Sequence, residues 1–126
     1  MRNAMRALIA LVGLFNLAIG LGFLIDPVRL GAAFFLSPVG IQGLATMRAD
    51  FTAFFVTGGV FALLGAARGR PEPLAVPLIL LTIALSARFV SLAVDGVSPT
   101  ASQPMAAEAV MIAILFAGRR MLRAYR

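Results

Sequence analysis

The sequence predicts an all-α integral membrane protein, a four-helix bundle with a short interfacial helix after the first span. Three observations predict this fold class: the composition, the length of the apolar runs and the placement of the arginines. Hydrophobic residues make up 61% of the 126 residues and charged residues 13%, whereas soluble domains average about 25% charged residues. Because so apolar a chain cannot cover its core with polar surface, we expect the lipid bilayer to be its solvent. The whole chain, 1–126, is read as one domain.

The first span is predicted over residues 7–25, after Arg2 and Arg6. Its 19 residues would rise about 28 Å as a helix, close to the thickness of the hydrocarbon core. A cleaved signal peptide is the alternative, because the segment before the run is basic. The run is longer than the usual ~7–15-residue apolar region, however, and no A-x-A site closes it. We therefore expect a retained helix.

Two start signals follow the first span. Asp26-Pro27 places an N-cap residue before a proline at the first helical position, which predicts a helix over 27–36, too short to cross and suited to the interface. Ser37-Pro38 repeats the signal, and the next helix can continue to about Ala67. That length exceeds what a crossing needs, so the second span is placed at 46–67.

The third and fourth spans are predicted over 74–94 and 105–118. Arg68-Gly69-Arg70-Pro71-Glu72-Pro73 separates the second span from the third, and a polar loop from Asp95 to Pro104 separates the third from the fourth. Pro77 falls in the first turn of its helix, where the missing N–H costs little.

Arginine placement predicts the orientation. Eight of the eleven arginines lie in the N-terminus, the 68–70 loop and the C-terminal tail, which share one side of the membrane if there are four spans. The loops of the opposite side hold only Arg29. By the positive-inside rule, both termini are expected in the cytoplasm. Arginines at the ends of apolar runs, without interleaved aromatic residues, are topology signals, and we expect no nucleic-acid partner.

Several polar residues lie inside or at the edge of the predicted spans. Met47-Arg48-Ala49-Asp50-Phe51 sets two charges in an apolar run, and an Arg or Asp at a helix centre costs at least ~2.5 kcal/mol on insertion scales. The rise per residue places these groups in the outer half of the bilayer. Ser91 joins them because it shares a helix face with Arg88 and Asp95. The candidate ligand-binding residues are Asn16, Arg48, Asp50, Arg88, Ser91, Asp95 and Glu108.

A purely architectural role is the alternative for this set. Buried ion pairs can fix the register of helices without binding anything, although intramembrane charges are functional sites by default. For Asn16 alone, an interhelical hydrogen bond is the favoured interpretation. Arg48 and Asp50 are about 200° apart around a helix, so they are expected to face different neighbours.

The composition excludes several kinds of site. The chain has no histidine and no cysteine, so it has no imidazole or thiolate ligands for zinc, copper or haem and no triad built on either residue. We expect no metal site and no cofactor. Asp50 or Glu108 could serve as a desolvated general base, but no motif singles one out, so we assign no catalytic residue and do not predict an enzyme.

Three functions remain. The leading hypothesis is binding of a lipid-like or quinone-like small hydrophobic molecule in an outer-half polar pocket. The second is a small accessory or structural subunit of a larger membrane complex, or a homo-oligomer, because the chain is short and has glycine-rich helix faces. A proton-coupled small transporter ranks below both, since the inner half lacks polar groups for a continuous path.

Three motifs also carry a family resemblance. They are Arg48-x-Asp50-x-x-x-Phe54-Phe55, Arg88-x-x-Ser91-x-x-x-Asp95-Gly96, and Glu108. This combination resembles a family of small four-helix bacterial membrane proteins of unknown function, distantly similar to the DoxX group. The resemblance covers residues 14–115, with Ala87 where a glycine is expected. It implies four helices and a bacterial inner (cytoplasmic) membrane, and it brings no established substrate.

Overall fold

The structure, a computed structural model, describes residues 1–126 and contains five α-helices and no strand. The all-α prediction is therefore confirmed. Four helices are long and one is short. In chain order they are α1 (Arg2–Ile25), α2 (Pro27–Ala33), α3 (Gly40–Arg68), α4 (Ala75–Asp95) and α5 (Ser102–Ala124).

Local signals explain several of the helix ends. The Asp26 side chain accepts a hydrogen bond from the Arg29 N–H, with Pro27 at the first helical position, as the capping pattern predicts. Gly69 ends α3 with a φ of 62°, the left-handed conformation that glycine adopts without a steric penalty. By contrast α3 begins at Gly40, after Val39, rather than directly at Ser37-Pro38.

The four long helices each pack against two others, in the circular order α1, α3, α4, α5 and back to α1, while α2 lies against α1 and α3. The α1–α3 contact is the closest. A Cβ atom on Gly59 would lie 2.7 Å from the Gly13 carbonyl oxygen and 2.7 Å from the Leu17 nitrogen. Glycine is therefore required here, because it lets the two backbones approach each other directly.

One end of the molecule collects the basic segments, and we call it the basic end. The Arg6 Nε and Nη2 groups donate to the carbonyls of Ala66 and Ala67, each at 2.7 Å, which ties the start of α1 to the end of α3. Arg126 pairs with Glu72 at 2.5 Å, and the Arg2 guanidinium lies over the Tyr125 ring. The N-terminus, the loop after α3 and the C-terminal tail are thus neighbours, as the alternating direction of four helices predicts.

Two apolar cores fill the interior. The larger lies toward the basic end, with members from all four long helices: Ile9, Val12, Ala62, Ala66, Leu74, Leu81, Leu115 and Leu122. The smaller is built on Phe23, which is fully buried and stacks against Phe51 with ring centroids 4.9 Å apart. Phe34, at the end of α2, tilts against the same ring, so the short helix covers this core.

Three helices are long and apolar enough to cross a membrane: α1, α3 and α4. They overlap the first three predicted spans. The fourth predicted span falls in α5, which begins with Ser102-Gln103, contains Glu108 and ends with Arg119, Arg120 and Arg123. Its uninterrupted apolar section between Glu108 and Arg119 is only ten residues long, or about 15 Å. The predicted fourth span is therefore less apolar than the other three, and it is not among the helices that could cross a membrane by length and composition.

Candidate ligand-binding site

A cavity of about 570 Å³ lies between the helices, away from the basic end. Residues from all five helices line it, and 12 of its 17 lining residues are hydrophobic. This volume is within the range of about 300–1,000 Å³ typical of small-molecule sites. We call it the Arg88 cavity, after the only basic residue in its lining. The aromatic part of its wall consists of Phe15, Phe34, Phe35, Phe51, Phe54 and Phe55.

Four polar side chains line the cavity: Asp50, Arg88, Gln103 and Glu108. Asp50 lies in the first half of α3 and Arg88 in the second half of α4. Gln103 and Glu108 lie in the first two turns of α5. Because α4 and α5 run in opposite directions, these positions meet at one level, about 20 Å along α4 from its start.

An ion pair dominates the polar edge of the cavity. The Arg88 Nε group donates to the Glu108 Oε1 atom at 2.6 Å. The Glu108 side chain is 11% exposed and the Arg88 side chain 38% exposed. Pairing of this kind compensates for the desolvation of Glu108, which alone would be costly in an apolar surrounding.

The second oxygen of Glu108 has no partner. Its Oε2 atom is buried and makes no hydrogen bond, although buried acceptors in folded proteins are normally satisfied. Arg88 uses one of the five N–H groups that a guanidinium offers in its bond to Oε1. The pair therefore combines one unsatisfied acceptor, on Glu108, with N–H donors of Arg88 that this bond does not use.

Asp50 adds a second negative charge. It lines the cavity and is exposed, and it forms neither of the two ion pairs in the protein. Two carboxylates and one guanidinium give the lining a formal charge of −1. This balance disfavours an anionic occupant and favours a neutral or cationic one.

Arg48 does not line the cavity. Its Nε group donates to the Leu24 carbonyl at 3.0 Å, so it caps the C-terminal end of α1, where a cation also interacts favourably with the helix dipole. The expectation that Arg48 and Asp50 face different neighbours agrees with this arrangement. Of the two arginines in the predicted site, only Arg88 lines the cavity.

Ser91 and Asp95 also lie outside the cavity. The Ser91 hydroxyl donates to the Asp95 Oδ2 atom at 2.8 Å, and both residues are exposed at the end of α4. Their spacing does put them on one helix face with Arg88, but neither residue is part of the cavity lining. Three of the seven predicted residues, Asp50, Arg88 and Glu108, come together in the lining.

Asn16 makes the interhelical contact expected of it. It is 4% exposed, and its Nδ2 group donates to the Val12 carbonyl and to the Met111 Sδ atom at 3.3 Å. Met111 lines the cavity and Asn16 does not. Asn16 therefore joins α1 to α5 directly behind the cavity wall.

Sequence reasoning missed Gln103 and most of the aromatic wall. The sequence predicts a loop at Gln103, whereas α5 begins at Ser102 and places Gln103 in the cavity lining. Phe34 and Phe35 fall within the predicted interfacial helix of 27–36, but α2 ends at Ala33 and both rings line the cavity. A usable signal was present, since Phe34-Phe35 in the linker and Phe54-Phe55 in α3 are the chain's two aromatic pairs.

Comparison with known proteins gives no match to any family model, curated protein or solved structure.

Proposed function

We propose that this protein is a four-span protein of a bacterial inner membrane that binds a lipid-like or quinone-like molecule with a neutral polar head in the Arg88 cavity. Both termini are cytoplasmic in this proposal. The observation that carries it is the Arg88–Glu108 pair in the lining of a mostly apolar cavity, a pair in which one buried carboxylate oxygen has no partner.

The fourth crossing is supported by the pairing and packing of α5. With Glu108 neutralised by Arg88, the section from Pro104 to Gly118 is 15 residues long and rises about 22 Å as a helix. The helix packs against α1 and α4. The arginines that follow would reach the same interface as the other basic segments, which agrees with the positive-inside rule.

The cavity edge suits a head group that both accepts and donates hydrogen bonds. A carbonyl oxygen would accept from the free N–H groups of Arg88. A hydroxyl would donate to the Glu108 carboxylate once that side chain turns its free oxygen toward the cavity, and the bond would satisfy an acceptor whose burial without a partner costs about 1–3 kcal/mol. The formal charge of −1 in the lining argues against an anionic head group.

The remaining wall suits an apolar ring or chain. Twelve hydrophobic residues line the cavity, and Phe54 and Phe55 meet edge to face with centroids 5.0 Å apart. Aromatic walls bind flat apolar groups by stacking and by burial. A cavity of about 570 Å³ holds the head and first part of such a molecule, with a longer tail left in the lipid.

A small accessory subunit is the second candidate, and the outer surface of α4 favours it. Only 11% of the most apolar part of α4 is buried, against 33% for α1 and 28% for α3. This surface faces either lipid or another membrane protein. Extraction in mild detergent separates the two, because a subunit would migrate with a larger partner, whereas a binding protein would migrate alone or as a small homo-oligomer.

The apolar core at the basic end weighs against a proton-coupled transporter. Its eight buried residues come from all four long helices, and one of them, Leu81, also lines the cavity, so the apolar core begins at the cavity wall. A proton path would need polar groups or water across this section.

Binding of decylubiquinone, a probe with a neutral head and an apolar tail, tests the proposal. Ala107 lines the cavity, so Ala107→Phe fills it without altering a charge. Ala109 lies on the same helix, is also exposed and does not line the cavity, so Ala109→Phe is the matched control. We expect at least about tenfold weaker binding for Ala107→Phe only. Equal binding by both variants would contradict the proposal.

A further inference from the structure

A second concave site lies at the basic end, outside the Arg88 cavity. Four residues line it: Phe116, Arg119, Arg120 and Arg123. Its volume is about 280 Å³, half that of the Arg88 cavity. The spacing of i, i+3, i+4 and i+7 puts all four residues on one face of α5. No acidic residue contributes to it.

The site contains unsatisfied cationic donors. The Arg119 Nε atom is buried and makes no hydrogen bond. The only acidic residue at this end, Glu72, pairs with Arg126, and none of the three arginines in the site forms an ion pair. Three guanidiniums held on one face without a counter-charge repel one another unless an anion lies between them.

Phe116 is the one hydrophobic residue that lines the site. It lies one turn before Arg119, is 54% exposed, and has the Arg120 guanidinium over its ring at 5.9 Å from the centroid. An exposed aromatic ring followed directly by cations is the order met when a helix passes from acyl chains to phosphates. This order rests on the membrane position proposed for α5.

We propose that this surface of α5 is a phosphate site, and that its occupant is the phosphate of an anionic phospholipid whose acyl chain lies along Phe116. Arginine suits this role because its planar fork binds phosphate oxygens through two parallel hydrogen bonds. Basic pockets on the cytoplasmic side of membrane helices are known binding sites for anionic head groups. Nothing in this inference depends on the contents of the Arg88 cavity.

Native mass spectrometry of delipidated protein in neutral detergent tests the proposal, with dioleoylphosphatidylglycerol as the anionic probe and dioleoylphosphatidylcholine, whose choline group neutralises its phosphate, as the zwitterionic reference. Arg119→Gln/Arg120→Gln removes two charges from the site. Arg68→Gln/Arg70→Gln removes two charges from the same end, outside the site, and is the matched control. We expect about tenfold or more weakening of phosphatidylglycerol binding in the first variant, and less than threefold in the control.

Equal weakening in both variants would overturn the proposal, because the attraction would then belong to the whole basic end. Equal affinity of the wild type for the two lipids would overturn it as well. If the double variant does not fold, Arg123→Gln gives the same comparison, since Arg123 is exposed, with Arg70→Gln as its control. Millimolar inorganic phosphate identifies the source: displacement of the lipid means that free phosphate is the occupant and rejects the lipid assignment, whereas retention supports it.

Discussion

At the scale of single residues, Glu108 is the residue on which the proposed ligand site most depends. It is the only acidic residue that is buried, and its pairing with Arg88 leaves one carboxylate oxygen free. A pair that served architecture alone would be expected to satisfy both oxygens, since a half-satisfied polar group destabilises the fold. The oxygen without a partner therefore favours a ligand site over a purely architectural ion pair.

The first prediction concerns this pair. We expect Arg88→Met to lower the free energy of unfolding by about 2 kcal/mol, because Glu108 would then be a buried charge without a partner, while the partial exposure of Arg88 limits the loss. Replacing both residues, in Arg88→Met/Glu108→Met, should restore stability to within about 1 kcal/mol of the wild type. Denaturation in detergent micelles measures both values.

Arg68→Met is the control for the loss of an arginine, because Arg68 is exposed and makes no ion pair. We expect it to change stability by less than about 0.5 kcal/mol. A double variant as unstable as Arg88→Met alone would contradict the account, since the cost would then come from the lost packing of the arginine and not from the unpaired carboxylate.

The candidate site was predictable only in part from the sequence, and the reason lies in side-chain reach. Depth follows from the rise per residue, so Arg88 and Glu108 could be placed at one level. Depth does not tell which neighbour a long side chain selects. Arg48 lies within two residues of Asp50, yet it turns to the open carbonyl of Leu24 at the end of α1, which no periodicity indicates.

At the scale of elements, α1 and α3 form the closest helix packing, and glycine allows it because the two backbones approach each other directly.

The helix pattern of the sequence predicted all five helices, because apolar runs bounded by Asp-Pro, Gly and Arg leave few alternatives. The helix α5 covers 102–124 and so extends beyond the predicted span of 105–118 at both ends, since a proline in the first turn and arginines in the last turn do not end a helix.

The second prediction uses two adjacent glycines of α3. A Cβ atom at Gly59 would meet the backbone of α1 at 2.7 Å, whereas one at Gly58 would have its nearest neighbour, a Leu80 methyl group, at 3.7 Å. We expect Gly59→Ala to lower the free energy of unfolding by about 1–3 kcal/mol, because the helices must separate. Gly58→Ala should be neutral or stabilising by up to about 1 kcal/mol.

Thermal unfolding of the two variants in the same detergent makes this comparison. Both substitutions add one methyl group to the same helix, so the helical propensity gained is equal and cancels. Similar unfolding temperatures for Gly58→Ala and Gly59→Ala would contradict the close approach of α1 and α3 at this point.

At the scale of the whole molecule, the two ends and the two cores divide the protein along its long direction. The basic end gathers the termini, the larger apolar core lies toward it, and the Arg88 cavity lies away from it. This division agrees with the proposed binding site open to one side of a membrane, because a continuous apolar core would prevent leakage past such a site.

The third prediction concerns the number of crossings. The chain has no cysteine, so single cysteines report position without a background. With four crossings, a membrane-impermeant maleimide should label Ser37→Cys and Ser98→Cys in intact cells, and Asn3→Cys and Ala124→Cys only after permeabilisation. All four positions are exposed. If Asn3→Cys and Ala124→Cys differ from each other, α5 does not cross, and the membrane holds three spans.

Native mass spectrometry of the protein extracted gently from its own membrane, compared among the wild type, Arg88→Met and Arg48→Met, tests ligand binding in the Arg88 cavity most directly. We expect an additional mass of a few hundred daltons on the wild type, retained in Arg48→Met because that arginine caps α1, and lost in Arg88→Met. A wild type that carries no such mass, or one that Arg88→Met retains in full, would contradict the claim that the Arg88 cavity binds a ligand.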